Sequence, residues 1–143
     1  MSMLVIGESL IDVFYNSDNQ ADARLPGGSP LNVAIGLSRL GRDISLLTRI
    51  GNDPDGKLIQ EYCEHEGVAL IPGSVTAEPT SLAHAQIAAD RSAVYRFDIH
   101  SDYPHPPTDP EERAALLETA PQLIHFGSVG AHLAPEAKHS KNG

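Results

Sequence analysis

Between Met3 and Ile71 the chain alternates short apolar runs with helical segments that carry their own start and stop signals. Met3-Leu4-Val5-Ile6, closed by Gly7, reads as a buried strand. Pro30 to about Leu40 reads as a largely buried helix, because Leu31, Val33, Ala34, Ile35, Leu37 and Leu40 cover most of its circumference. Ser29 stands where an N-cap is expected, Pro30 suits the first turn, and Gly41 suits the C′ position. Ile44 to Ile50 is a second core strand, and Asp53-Pro54 opens a second helix that runs to Glu66 and is closed by Gly67. Val68 to Ile71 is a third strand. Strand, helix, strand, helix, strand is the order of right-handed parallel units, so an α/β layer is expected.

Two stretches do not fit that layer. Asp12 to Asn16 is strand-like, Ser17 to Gln20 is a polar turn, and Ala21 to Leu25 reads as the returning arm of a hairpin. Ser81 to Ala89 and Ala93 to Ile99 flank Asp90-Arg91-Ser92 as a second hairpin. Ser101 to Pro110 is a proline-rich connector. Asp109-Pro110-Glu111-Glu112 opens another helix, with Glu112 placed for a capping box. Leu123 to Phe126 reads as a fourth core strand ending at Gly127, and the polar tail from Lys138 to Gly143 is expected to fray. The expected division is an α/β layer over about 3–11, 27–76 and 108–130, hairpin strands over about 12–26 and 80–99, and a tail over 131–143.

The formal net charge is −9, which argues against a nucleic-acid or anionic-membrane partner. No apolar stretch is long enough to span a bilayer and no apolar leader opens the chain, so the cytoplasm is the expected location. The single cysteine, Cys63, excludes an internal disulfide and reads as a small, half-buried core thiol. The seven histidines show no zinc-site spacing; His100 and His105 bracket a loop, and His125 reads as a core histidine.

Gly27-Gly28-Ser29-Pro30-Leu31-Asn32 is the segment with most chemical content. Glycines let a ligand approach the backbone, and a helix start offers N–H donors and partial positive charge. Asn32 adds a donor and an acceptor in the first turn. Such a place suits a polyhydroxylated or anionic ligand, although a glycine pair before a helix is more often a plain turn. Asp12, just beyond the first strand, lies where open α/β sheets bind ligands; a solvated turn residue is the equal alternative. Gly51-Asn52-Asp53-Pro54-Asp55-Gly56-Lys57 has the glycine and lysine spacing of a phosphate loop. Leu58 stands where that loop needs Ser or Thr, and Asp53 and Asp55 would repel phosphate, so a strand-to-helix turn is expected.

Taken together, Gly27, Gly28, Pro30, Asn32, Ala34, Gly41 and Gly51 resemble the N-terminal signature of the PfkB, or ribokinase-type, carbohydrate kinases. Gly7-Glu8-Ser9-Leu10-Ile11-Asp12 is similar to the opening common in fructokinases, and Pro79-Thr80-Ser81 and Val94-Tyr95-Arg96-Phe97 fall at similar family motifs. The resemblance implies the N-terminal part of a ribokinase-like fold, a mostly parallel sheet flanked by helices with a small β-sheet lid. It implies that Asp12 and Asn32 hydrogen-bond sugar hydroxyls, that Gly27 and Gly28 form the floor of the sugar site, and that Arg96 on the lid contacts substrate. It implies ATP and magnesium as the whole family's cofactors, and a homodimer through the lid. Fructose or 2-keto-3-deoxygluconate is favoured over ribose by the Glu8 opening.

The family's Gly-Ala-Gly-Asp segment, which carries the general base and the anion hole, has no counterpart among these 143 residues. No catalytic, nucleotide-binding or metal-binding residue is therefore assigned, and the chain alone is expected to show no turnover, as a truncated kinase would. The alternatives are a non-catalytic sugar-binding or dimerisation module, and a remnant whose open sheet edge leaves it unstable.

Overall fold

The structure, a computed structural model, describes residues 2–87, 90–99 and 110–126, without the side chains of Ala93 and Glu112. The connector up to residue 109 with His100 and His105, the expected capping box at Glu112, the Gly127 turn and the polar tail lie outside the described residues. The elements run β1 (Ser2–Ile6), β2 (Leu10–Tyr15), β3 (Ala21–Gly27), α1 (Ser29–Arg39), β4 (Asp43–Leu47), β5 (Ile50–Gly51), α2 (Pro54–His65), β6 (Ala69–Leu70), β7 (Val75–Thr76), β8 (Leu82–Ile87), β9 (Ala93–Asp98), α3 (Pro110–Thr119) and β10 (Leu123–Phe126).

One sheet has the order β10-β1-β4-β6, all parallel. Its strands alternate sides with a period of two, so each face receives its own layer. Met3 and Val5 of β1, with Ile44 and Leu46 of β4, pack under Leu31, Ala34 and Ile35 of α1 and Ile59 and Cys63 of α2. Leu4 and Leu47 face the other way, with Ile71 and the partly buried Ala115 and Leu116 of α3. The result is an α/β layer with helices on both faces. Burial pushes the Cys63 thiol up to about 11, so this side chain is a packed apolar group rather than a reactive one.

The second sheet has the order β3-β2-β8-β9. β2 and β3 form the expected hairpin, β8 and β9 the other, and β8 joins β2 in parallel, Asp12 opposite Ala83. Ile11 and Val13 at its base enter the main core, which attaches the lid to the α/β layer. Asp53 caps α2 as expected, and Gly41 takes a left-handed conformation, φ 84, after α1.

Three expectations change. The second core strand breaks after Leu47: the Thr48 N–H donates to Ser74 Oγ, and the chain resumes as β5 to pair with β7. Ser29 does not cap α1. β3 runs on to Gly27 and the helix begins at Ser29, so only Gly28 is left for the cap position, and it offers no side chain. His125 is not a core residue: β10 is the outermost strand of its sheet and all four of its residues are exposed.

Candidate functional site

Asp12 projects from the middle of β2, between Leu25 of β3 and Ala83 of β8. It is half-buried, and burial raises its carboxyl above the ordinary aspartate range. Its carboxylate lies against the backbone of Gly27, where a Cβ would collide with Asp12 Oδ2 and come within 2.9 Å of its Cγ. Gly27 is thus glycine because the Asp12 side chain occupies the space a methyl group would take. Gly28 follows with φ 102 and ψ 133, a region L side chains rarely adopt, and a Cβ there would stand 2.9 Å from the Glu8 carbonyl oxygen. Its own carbonyl accepts from the Asn32 N–H at 3.0 Å, closing the first turn of α1. Asn32 is exposed on that turn, and no acidic residue competes with a ligand there.

Asp12, Gly27, Gly28 and Asn32 therefore converge where β2 and β3 meet the N-terminus of α1. One residue beneath them stands out. Glu8 is only 6% exposed, and its Oε2 has no hydrogen-bond partner among the described residues. The sequence marks Glu8 only by its place in a motif; its burial beside a glycine turn is a tertiary fact.

Arg96 is not brought to this group. In the lid sheet Asp12 is in register with Ala83, and Ala83 with Phe97, so Tyr95 and Phe97 share the Asp12 face. Arg96 is opposite His84 and stands on the other face, lining an open cleft of about 350 Å³ with Tyr15, Asn19, His84, Gln86 and Val94. The two side chains are one residue apart in phase, which a period of two turns into opposite sides of the sheet.

The segment with phosphate-loop spacing is closed on itself. Asp53 Oδ1 accepts from the Gly56 N–H at 2.7 Å and the Thr80 hydroxyl at 2.6 Å, and Oδ2 accepts from the Thr80 N–H at 2.9 Å. The Thr80 hydroxyl also accepts from the Gly51 N–H at 2.9 Å. Burial pushes the Asp53 carboxyl up, but the donors from Thr80 and Gly56 outweigh it and hold it below the ordinary range. The space beside Gly51 is filled by the Glu78 carbonyl, Asp53 and the Thr80 N–H, and that beside Gly56 by the Gly51 carbonyl. The Gly51, Gly56 and Thr80 N–H groups are all spent within the turn, so these residues do not offer a nucleotide phosphate the donors of a phosphate loop. They tie α2 to the entry of lid strand β8 instead. Among the described residues no group of three His, Cys, Asp or Glu side chains is placed to hold a metal, and no helix is long and apolar enough to cross a membrane.

A family profile described as pfkB family carbohydrate kinase matches residues 2–137. A protein named as a sugar kinase in Pyrococcus horikoshii is 46% identical over 68 residues, 44% of this chain and 22% of that protein. Fructokinase from Escherichia coli is 41% identical over 66 residues, 46% of this chain and 21% of that protein. The crystal structure of the P. horikoshii sugar kinase superposes with a TM-score of 0.75 at 24% identity, covering 99% of this chain and 47% of that one. It has also been solved in complex with ATP. Fructokinase from Halothermothrix orenii superposes with a TM-score of 0.75 at 19% identity, covering 99% of this chain and 51% of that one. The chain thus spans about half the length of these solved relatives.

Proposed function

The chain belongs to the pfkB family of carbohydrate kinases, and we propose that these 143 residues form the sugar-recognition part of a fructokinase-like enzyme. The observation that carries this reading is the Asp12 carboxylate seated against Gly27 at the start of α1. A half-buried carboxylate accepts hydrogen bonds from adjacent hydroxyls, and such charge-assisted bonds are stronger than neutral ones. Gly28 keeps the floor bare, and the exposed Asn32 amide supplies a donor and an acceptor on the helix side. The lid closes over the bound sugar, excludes water and holds the ring against this floor. The apolar Tyr95 and Phe97 face the same side and pack over the ring; Arg96, on the opposite face, is left out of the site.

ATP and magnesium are the cosubstrate and metal of the proposed whole reaction, which places it in the cytoplasm, where ATP is supplied. On this reading the residues here bind and orient the sugar and do not transfer phosphate. Calorimetry with the chain and D-fructose should show binding in the millimolar range, about −4 kcal/mol. Incubation with ATP, magnesium and fructose should give no sugar phosphate above a blank. Absence of heat with fructose and with a panel of other ketoses would sink the sugar reading. ATP-dependent phosphorylation would sink the division of labour.

A second role rests on a separate observation. Phe14, Leu25 and Ile87 are all exposed, and register puts them on one face of the lid sheet. An apolar sheet face of this kind suits a second copy of the chain. Light scattering should show a concentration-dependent dimer that Leu25→Lys converts to monomer. A wild-type chain that stays monomeric at high concentration would refute this role.

A further inference from the structure

On the face of the lid opposite Asp12, the one whose Ile11 and Val13 enter the main core, three side chains form one hydrogen-bonded row. The Tyr15 hydroxyl is 2.6 Å from His84 Nδ1, and His84 Nε2 is 2.7 Å from Asp98 Oδ2. The Tyr15 and His84 rings stack with centroids 5.6 Å apart, and the His84 side chain is 13% exposed. A carboxylate only accepts, so Nε2 is the nitrogen that donates to Asp98, and an Nδ1 that carries no proton accepts from the Tyr15 O–H. Every polar group of the row is then used in one direction, from β2 through β8 to β9. Arg96 Nη2 lies 3.9 Å from the same Asp98 oxygen, and Gln86 donates to Asn19 Oδ1 at 2.7 Å where the row ends.

We propose that His84 is a positioning residue for the sugar face of the lid: locked between Tyr15 and Asp98, it fixes strand β9 and so sets Phe97 over Asp12. The proposal rests on the sugar-site reading above. β9 is an edge strand whose only described neighbour in the sheet is β8. Such a strand is held by one ladder and frays more readily than a central one. Its Asp98 is anchored by His84, and the preceding residue, Phe97, points to the other face. Phe97 stands two interstrand spacings from Asp12, roughly 10 Å, with only Ala83 between them. A slip of β9 therefore alters the width of the sugar trough directly.

The test uses Tyr15→Phe, which removes one hydroxyl and keeps the ring, and His84→Gln, whose amide retains one donor and one acceptor. Amide hydrogen exchange without sugar should quicken about tenfold across Ala93–Asp98 in Tyr15→Phe and stay unchanged in β1 and β4. Fructose affinity should fall about three- to tenfold, with the melting temperature nearly constant, and His84→Gln should restore part of it relative to His84→Ala. In the wild type the His84 ring nitrogen resonances should shift on adding fructose, although the ring lies outside the sugar site; a purely structural histidine would not respond. Unchanged β9 exchange in both variants would overturn the lock. Wild type that binds no fructose would overturn the sugar reading instead, and the sugar-free exchange data tell the two apart.

Discussion

Gly56→Ala should lower the melting temperature by about 10 °C or more, a loss on the order of 3 kcal/mol, whereas the same substitution at Gly36 should raise it. Both glycines lie inside helices, Gly36 in α1 and Gly56 in α2. In a helix interior Ala exceeds Gly by roughly 0.5–1 kcal/mol, because glycine loses more backbone freedom on folding. At Gly36 nothing lies within 4 Å of an added Cβ, so the ordinary gain of a few degrees is expected. At Gly56 the added Cβ would overlap the Gly51 carbonyl oxygen and approach the Thr80 hydroxyl to 3.1 Å. Neither neighbour is free to yield. Gly51 is pinned to Thr80, and Thr80 to Asp53, which caps the same helix. Relief requires α2 to move away from β5, which opens the layer holding Ile59 and Cys63. Thermal denaturation of the two variants settles the sign, and a Gly56→Ala protein that melts at or above the wild type would mean that the knot is looser than its geometry.

What the sequence shows about this fold is what acts within a few residues. Proline after a capping position, glycine after the last apolar turn and a continuous apolar run are local causes, and they place β1, α1, α2, α3 and both hairpins. The features that escape are set by partners far along the chain. The break after Leu47 depends on Ser74, and the closure of the Gly51 turn depends on Thr80. The face taken by Arg96 depends on the register of β8 against β2, two strands about 70 residues apart, and a slip of one residue would have put it beside Asp12. His125 sits in a run that reads as buried on both sides, but exposure follows from what covers a strand rather than from its own residues. The candidate site was legible for a different reason: Asp12 and the Gly27-Gly28 pair must meet wherever the first hairpin returns to the start of α1. The Tyr15, His84 and Asp98 row had no sequence signal, since its members are 69 and 14 residues apart.

Gly27→Ala should reduce fructose affinity about 10- to 100-fold while moving the melting temperature by only a few degrees. The added Cβ would meet the Asp12 carboxylate, which is the free end of a side chain and not backbone. Asp12 can rotate out of the way, so the fold is spared. The rotated carboxylate no longer points where the sugar hydroxyls must lie, and one or two charge-assisted hydrogen bonds of roughly 1.5–3 kcal/mol are lost. Asp12→Ala should produce a similar loss, and the double variant should be no worse than either alone, because both act through one carboxylate. The pH dependence follows from the same group. Ionised Asp12 is the acceptor, and burial raises its carboxyl, so fructose affinity should fall on acidification at a higher pH than an ordinary aspartate would give. In Asp12→Asn that acid limb should vanish. Affinity unchanged by Gly27→Ala would remove Asp12 from the sugar site, whatever the pH profile showed; affinity lost together with ten degrees of stability would instead make Gly27 a folding residue.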